Sequence, residues 1–224
     1  MILFHGSNQI IEQPKLGKGK AYNDYGPGFY CTENLDLAKE WACPLPKDGF
    51  ANQYELNING LFSLNLSDNR YHILNWLALL LENRTFDITA SLALQAREYI
   101  IQTFMPELKN IDYIIGYRAD DSYFSFAEDF VSGSISLRDL NEAMHLGALG
   151  EQAVLISPCA FNHLQFVKYE ISSHQEYHIK RVNRDYFARQ QYQDRKRDLK
   201  SLKEDLFVLD ILREEMKNDD PRIQ

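Results

Sequence analysis

The chain reads Tyr25-Gly26-Pro27-Gly28-Phe29-Tyr30-Cys31-Thr32 at the point where a glycine-rich turn runs directly into aromatic and β-branched residues. Glycine and proline favour turns, whereas aromatic and β-branched side chains favour extended backbone. Further glycines and a proline precede this segment, starting at residue 14. The sequence therefore predicts a long loop over residues 14–28, followed by a short strand at 29–32.

One regular element is predicted on each side of this loop and strand. Downstream, Leu37, Ala38 and Trp41 share one helical face, which predicts a helix over about 35–42. Upstream, the apolar residues 1–5 predict a strand that ends at the turn-forming cluster Gly6-Ser7-Asn8.

The rest of the chain up to residue 172 mixes strand and helix patterns, which predicts an α+β fold. Residues 51–66 alternate imperfectly about Asn59-Gly60 and predict a hairpin. The other predicted elements are helices over about 71–82 and 88–104, a helix that includes Phe126 and Phe130, a helix from Ser136 through His145, and strands at 111–116, 152–156 and 166–169.

The character of the chain changes from Arg181 onward. Residues 180–203 hold nine basic and three acidic residues, a local net charge of +6. Leucines at a spacing of three or four residues between 199 and 212 predict one or two amphipathic helices. We therefore expect a domain over residues 1–172 and a charged helical C-terminal extension over 173–224. This extension either packs along the domain as a solvated helix or docks an acidic partner or a nucleic acid.

The composition is that of an ordinary globular protein. The 224 residues are 45% hydrophobic and 25% charged, which excludes disorder over most of the length. Acidic residues number 32 against 24 lysines and arginines, for a net charge of −8. This balance excludes a basic surface over the whole fold, although it is compatible with a local basic patch.

Cysteine usage and apolar runs bear on location. Three cysteines without a CxxC pair indicate neither a disulfide framework nor structural zinc, and favour a reducing cytoplasm. The first residues lack the basic region and the run of about 7–15 apolar residues of a secretory signal. The most apolar stretch, 73–81, contains Asn75 and is shorter than the roughly 20 residues of a membrane span. We therefore expect a soluble, cytoplasmic protein without membrane contact.

Several common catalytic motifs are absent from the sequence. It contains no GxGxxG after a strand, no GxSxG and no HExxH, and Gly17-Lys18-Gly19-Lys20 lacks the spacing of a phosphate-binding P-loop. The six histidines show no metal-binding spacing. We therefore expect no metal site, and we interpret residues 17–20 as a flexible loop.

Three places remain that could carry chemistry. His5-Gly6-Ser7 could hold a polar ligand at a strand end, because Gly6 lets backbone groups approach closely. Tyr30 and Trp41 could sandwich a flat ring, at about 1–3 kcal/mol for a stacked base. Glu151, before a late strand, could orient a ribose hydroxyl or stabilise positive charge. Each also has a plain structural interpretation, as a capped histidine, core packing or a solvated loop charge, and that is the commoner case.

In this order, the three places resemble the His-Tyr-Glu motifs of the ADP-ribosyltransferase superfamily, in its diphtheria-toxin and poly(ADP-ribose) polymerase branch. The matching stretches are Phe4-His5-Gly6-Ser7, Gly26-Pro27-Gly28-Phe29-Tyr30 with Trp41 as the second aromatic, and Gly150-Glu151-Gln152-Ala153-Val154-Leu155. The resemblance covers roughly residues 1–172, including a closing strand at 161–169. The chain is similar still more closely to a bacterial family described only as a domain of unknown function, which the segment 116–123 also fits.

The resemblance implies a split β-sheet core with flanking helices, and NAD as the substrate. It implies that Glu151, His5 and Tyr30 are catalytic, and that NAD is bound by His5, Gly6, Ser7, Tyr30 and Trp41. The Gly6 backbone would bond the nicotinamide amide and His5 the adenosine-side ribose. Glu151 would bond the nicotinamide ribose and stabilise the charge that grows there as the glycosidic bond breaks. Ala38 stands where the polymerase branch has a serine, so either Ser7 or the Gly6 backbone would compensate or the amide would be held less tightly.

The expected function is therefore transfer of a single ADP-ribose from NAD to a macromolecular acceptor. The resemblance implies a bacterial or phage-like toxin or conflict enzyme, which an antitoxin-like inhibitor could bind. Two alternatives stay open: a module that binds NAD or a nucleotide without transfer, and an NAD glycohydrolase. Arg118, Asp120, Asp121 and Tyr123 follow a predicted strand and could contact the substrate or the acceptor. A structural salt bridge with a turn explains these four residues equally well.

Overall fold

Seven strands and eight helices are formed by the residues that the computed structural model describes, which are 1–119, 121–144, 150–198 and 204–223. The strands are β1 (Ile2–Ser7), β2 (Phe29–Cys31), β3 (Gly49–Leu56), β4 (Ser63–Asn65), β5 (Tyr113–Tyr117), β6 (Glu151–Leu155) and β7 (Leu164–Ser172). The helices are α1 (Leu35–Ala42), α2 (Ile73–Asn83), α3 (Ser91–Phe104), α4 (Asp121–Val131), α5 (Leu137–Ala143), α6 (Pro158–Asn162), α7 (His174–Asp198) and α8 (Val208–Arg213).

The strands form two sheets, ordered β1-β3-β7 and β2-β6-β5-β4. The first sheet is antiparallel, and in the second only the β4–β5 pair is parallel among the described strands. The sheets meet between Phe4 and Thr32, which exchange backbone hydrogen bonds of 2.7 and 2.9 Å. The α+β class that the sequence predicted, with flanking helices, is confirmed.

The hairpin predicted over residues 51–66 is wrong. β3 pairs with β1 and β7 in one sheet, whereas β4 pairs with β5 in the other. A turn is present at Gly60, where φ is +79°, but the chain uses it to pass between the sheets. Alternation along a strand records which face is buried and does not record which strand lies alongside.

The predicted helices are present, with small shifts at their ends. α1 has the expected bounds, and the side chain of Asn34 caps it by accepting a hydrogen bond of 3.1 Å from the Leu37 amide. α2 and α3 begin at Ile73 and Ser91, slightly later than expected. α5 follows its cap at Ser136 as predicted, whereas His145 lies outside the described residues.

Opposite faces of the four-stranded sheet belong to different hydrophobic clusters. Val154 and Ile114 pack into the larger cluster, which α2, α3 and α4 cover. Cys31, Ala153 and Leu155 pack into a second cluster, together with residues of the three-stranded sheet. Neighbouring residues of β6 therefore face different surroundings, as the alternation of side chains along a strand requires.

α1 lies directly against the backbone of the three-stranded sheet, at two glycines. A Cβ atom on Gly6 would come within 2.0 Å of the Ala38 carbonyl oxygen, and one on Gly49 within 2.1 Å of the Ala42 carbonyl oxygen. Ala38 itself is fully buried. This close packing brings Trp41, near the end of α1, next to the end of β1.

The long helix α7 is joined to α1 by polar contacts. Arg184 forms two hydrogen bonds, of 2.9 and 2.8 Å, with the buried carboxylate of Glu40, and the Tyr177 hydroxyl donates to Asp36. Five further basic residues of α7 pair with acidic residues of the same chain: Lys180 with Glu176, Arg189 with Asp185, Arg195 with Glu142, Lys196 with Asp129, and Arg197 with Asp194.

These contacts favour the packed-helix interpretation of the C-terminal extension, because most of its positive charge is balanced within the chain. Leu199 and Leu202 of the predicted leucine pattern lie outside the described residues. None of the described helices is both long enough and apolar enough to cross a membrane.

Candidate functional site

A cleft of about 920 Å³ opens where the ends of β1 and β2 meet the loop over residues 8–24. His5, Gly6 and Ser7 of β1 line it, together with Tyr30 of β2 and Trp41 of α1. The structure therefore brings together all five residues that were predicted to bind NAD.

The imidazole of His5 is oriented by its neighbours. Its Nδ1 lies 2.7 Å from the carbonyl oxygen of Tyr30, and its ring stacks on Phe29 with centroids 4.4 Å apart. Because a carbonyl oxygen only accepts hydrogen bonds, Nδ1 carries the proton, and Nε2 of the neutral ring is an acceptor. Burial lowers the pKa of His5 from 6.5, although the bond to Tyr30 opposes the shift. At neutral pH the site therefore holds a neutral histidine, and no described residue donates a hydrogen bond to its Nε2.

The Tyr30 hydroxyl forms hydrogen bonds with the backbone of the loop that precedes it. It donates to the Gly26 carbonyl at 2.6 Å and accepts from the Tyr25 amide at 3.1 Å. Burial raises the pKa of Tyr30 far above neutral pH, so the phenol does not ionise there. Tyr30 can contribute the face of its ring to a ligand, but it is not a general base.

The Gly6 backbone points to the open edge of β1. Phe4 exchanges backbone hydrogen bonds with Thr32, and the direction of these groups alternates along a strand. The amide and carbonyl of Gly6, two residues further on, therefore point to the same side as those of Phe4. Thr32, directly after β2, covers that side at Phe4, and the cleft lies beside Gly6.

Trp41 is contacted by a cationic group inside the cleft. The guanidinium carbon of Arg118 lies 4.8 Å from the centre of the indole ring, a cation–π contact. The indole Nε1 is buried and has no hydrogen-bond partner among the described residues. The ring thus accepts a planar cation on its face.

Glu151 does not appear among the described residues that line this cleft. It is exposed, accepts a hydrogen bond from the Ser67 hydroxyl, and lines a neighbouring cavity of about 520 Å³. Tyr30 is the register partner of Val154, so Gln152, two residues before Val154, shares the face of Tyr30. Glu151 takes the opposite face. The structure therefore brings Gln152, and not Glu151, to the cleft beside Tyr30.

A buried carboxylate that sequence reasoning missed lies in the cleft. Asp24 accepts hydrogen bonds from Arg84 Nε at 3.0 Å, from the Ala119 amide at 2.9 Å and from Gln152 Nε2 at 2.8 Å. Burial raises the pKa of Asp24, and Arg84 and the hydrogen bonds oppose the shift. Asp24 thus joins the loop to β6 and to residues just after α2 and β5. Its neighbours in sequence do not distinguish it from an ordinary loop residue.

The cleft is strongly basic, although the protein as a whole is acidic. Asp24 is the one carboxylate among the described lining residues. The lining cations are Lys15, Lys18, Lys20, Arg84, Arg118 and Arg181. Sequence reasoning assigned Arg118 to a possible site but did not assign the other five cations to it. For the three lysines, a signal was present in the basic character of residues 15–20, which we interpreted as a flexible loop after excluding a P-loop.

Three of the four residues that follow β5 and were predicted to contact the substrate or the acceptor cannot be placed in the cleft. Asp120 is outside the described residues, and the side chains of Asp121 and Tyr123 are not described. Within the described residues, no group of three or more His, Cys, Asp or Glu side chains could hold a metal ion.

The pKa of His5 predicts how stability depends on pH. The unfolded chain binds a proton at His5 more readily than the folded chain does. The contribution of neutral His5 to the free energy of unfolding is therefore fully present above pH 6.5, and it is lost as the pH drops below that value. His72, whose pKa burial also lowers, acts in the same direction. We expect His5→Gln to reduce the loss of unfolding free energy between pH 7.5 and pH 5, measured by urea denaturation. His72→Gln removes its own part of this loss and keeps the His5 part, so each single variant should retain some pH dependence. Equal pH dependence in His5→Gln and wild type would contradict the assignment.

Comparison with known families places the chain. Residues 1–166 match the family described as a protein of unknown function, DUF3990. The chain belongs to this family. No curated protein and no solved structure matches it.

Proposed function

We propose that the protein is an NAD-dependent ADP-ribosyltransferase that transfers a single ADP-ribose to a macromolecular acceptor. The observation that carries this proposal is the shared cleft, in which a neutral histidine, an open glycine backbone and two aromatic rings lie beside a basic wall. A dinucleotide needs these features: surfaces for its flat rings, partners for its sugars and amide, and cations for its phosphates.

Each group has a role that follows from its geometry. Nε2 of His5 would accept a hydrogen bond from a ribose hydroxyl, and the amide and carbonyl of Gly6 would pair with the nicotinamide amide. The rings of Tyr30 and Trp41 would contact the nicotinamide. Because that ring is a planar cation in NAD, it would replace the Arg118 guanidinium on the face of Trp41.

The bond to be broken joins the nicotinamide nitrogen to C1′ of the ribose. Its electron pair leaves with the nicotinamide, positive charge grows on the ribose, and a nucleophile of the acceptor attacks C1′ and loses its proton. An anion near the ribose lowers this barrier. Glu151 is our candidate for that anion, at the mouth of β6, where the cleft and the neighbouring cavity share Gln152.

Glu151→Gln tests this role. We expect the rate of NAD consumption to fall by about 100-fold or more, as when one stabilising group of a transition state is removed. The fold should be unchanged, because Glu151 is exposed. Glu33→Gln is the control, since Glu33 is an exposed carboxylate that lines the same neighbouring cavity. Undiminished turnover in Glu151→Gln would remove the residue from the catalytic role.

A second candidate function is a module that binds NAD or a nucleotide without transfer, and the position of Glu151 outside the cleft lining favours it. Incubation with NAD labelled in its adenylate part separates the possibilities. Label on a macromolecule indicates transfer, and free ADP-ribose indicates an NAD glycohydrolase. Unchanged NAD together with measurable binding indicates the module.

The biological setting of the proposal comes from the resemblance. It is a toxin acting in the bacterial cytoplasm on a protein or nucleic acid, restrained by an antitoxin-like inhibitor. Mass spectrometry of cell extract incubated with the protein and NAD would identify the acceptor.

A further inference from the structure

From the structure we infer that the C-terminal helix α7 completes the cleft, and that Arg181 on this helix forms a phosphate-binding wall with Lys15, Lys18 and Lys20. The ligand groups are the two phosphates of the dinucleotide, so the inference rests on the proposed function and names how its substrate is held. The wall includes a residue beyond the family match, which ends at residue 166.

Arg181 differs from most of the basic residues on its helix. Lys180, Arg184 and Arg189 each form an ion pair with an acidic residue. Arg181 is half-buried and lines the cleft, and it has no ion-pair partner among the described residues. Keeping a partly desolvated guanidinium without an anion is costly, and a ligand phosphate would remove that cost.

The three lysines stand on the loop that borders the cleft. All are exposed, and no carboxylate among the described residues pairs with them. The loop is held at its start, where the Ile11 amide donates to Asn52 at 3.0 Å, and near its end, where Arg84 donates to the Tyr22 carbonyl at 2.9 Å. The lysines are therefore carried between two fixed points and project their charge into one region.

The described residues of the protein do not neutralise the positive charge of the cleft. Asp24 is the one lining carboxylate among the described residues, and Arg84 already pairs with it at 3.0 Å. Arg181 and the lysines thus face the cleft without a local anion. In a protein of net charge −8, this region would draw a phosphate ligand by its field.

The position of Arg181 is coupled to the ring-binding part of the cleft. Arg184, one turn further along α7, bonds Glu40 of α1, and His178 lies 3.0 Å from the Cys43 carbonyl just after α1. α1 also carries Trp41. The same helix pair therefore sets the distance between Arg181 and the indole ring.

The test is calorimetric titration of the full chain with NAD, ADP-ribose, inorganic pyrophosphate and nicotinamide. We expect Arg181→Gln to weaken NAD, ADP-ribose and pyrophosphate by about tenfold, the usual effect of losing one charge-assisted hydrogen bond. Nicotinamide, which carries no phosphate, should bind as before. Arg189→Gln on the exposed side of the same helix is the matched control and should bind all four ligands like wild type.

Several results would overturn the inference. The first is that the wild-type protein binds neither ADP-ribose nor pyrophosphate. The second is that Arg181→Gln leaves ADP-ribose binding unchanged, and the third is that Arg181→Gln weakens nicotinamide binding as much as it weakens ADP-ribose binding. Dependence on Arg181 for a short oligonucleotide but not for ADP-ribose would assign the wall to a nucleic acid and overturn it as well.

The inference and the proposed function fail separately. ADP-ribose binding that depends on Arg181, with NAD left unconsumed, would uphold the phosphate wall and remove transfer. Labelling of a macromolecule from NAD, together with ADP-ribose binding that Arg181→Gln leaves unchanged, would uphold transfer and remove the wall.

Discussion

Gly6→Ala is expected to destabilise the fold by about 3 kcal/mol, at the upper end of the cost of overpacking. The added Cβ would lie 2.0 Å from the Ala38 carbonyl oxygen and 2.7 Å from the Ala42 amide nitrogen. Both are backbone atoms of α1, so no side-chain rotation relieves the clash, and the helix must move away from β1. For a domain with 5–15 kcal/mol of total stability, this loss is large.

The same substitution should also abolish ligand binding. Trp41 Cβ would lie 2.8 Å from the new methyl group, so the indole moves together with α1. Urea denaturation and NAD titration measure the two effects.

Gly60→Ala is the matched control for Gly6→Ala. Gly60 has a φ of +79°, and a Cβ there would meet nothing within 4 Å. Only the left-handed backbone penalises alanine at this position, at about 1 kcal/mol, and ligand binding should be unaffected. If Gly6→Ala proved no less stable than Gly60→Ala, then α1 would not be seated on β1 as described.

Asp24→Ala is expected to cost about 3–5 kcal/mol, the usual penalty for breaking a buried ion pair from one side. Arg84, Gln152 and the Ala119 amide would lose the acceptor that now binds all three. Because these groups lie on β6 and just after α2 and β5, the cleft wall should loosen at the same time. Thermal denaturation together with NAD titration measures both effects.

Asp24→Asn separates charge from shape at the same position. An amide keeps one acceptor oxygen for the Ala119 and Gln152 donors and turns its NH₂ group toward Arg84, which can reach water because its side chain is 23% exposed. The loss should therefore be smaller, about 1–3 kcal/mol. Asp68→Ala, which removes a surface ion-pair partner of Arg70 that is 34% exposed, should leave both stability and NAD binding close to wild type. Equal stability of Asp24→Ala and Asp68→Ala would show that the Asp24 network does not hold the cleft.

The contrast between Glu151 and Gln152 shows that an error of one residue in a sequence motif changes which side chain is predicted to enter the cleft. A motif fixes a residue to within one or two positions, and a shift of one residue on a strand exchanges its two faces. The pairing of Tyr30 with Val154 determines which of the two side chains enters the cleft. That pairing joins residues far apart in the chain, so no local pattern contains it.

The sequence by itself determined the local elements: the turn and strand around Gly28, the helix that carries Trp41, the α+β class and the grouping of His5, Gly6 and Tyr30 as candidate ligand contacts. The elements and the fold class follow from backbone preferences and side-chain periodicity, which act over a few residues. The grouping of the three residues follows from the resemblance of their motifs. Only the tertiary structure decided that β3 and β4 belong to different sheets, that Gln152 faces the cleft, and that Asp24 and Arg181 line it. Each of these depends on which distant segments pack together, because burial and charge pairing are properties of the folded neighbourhood.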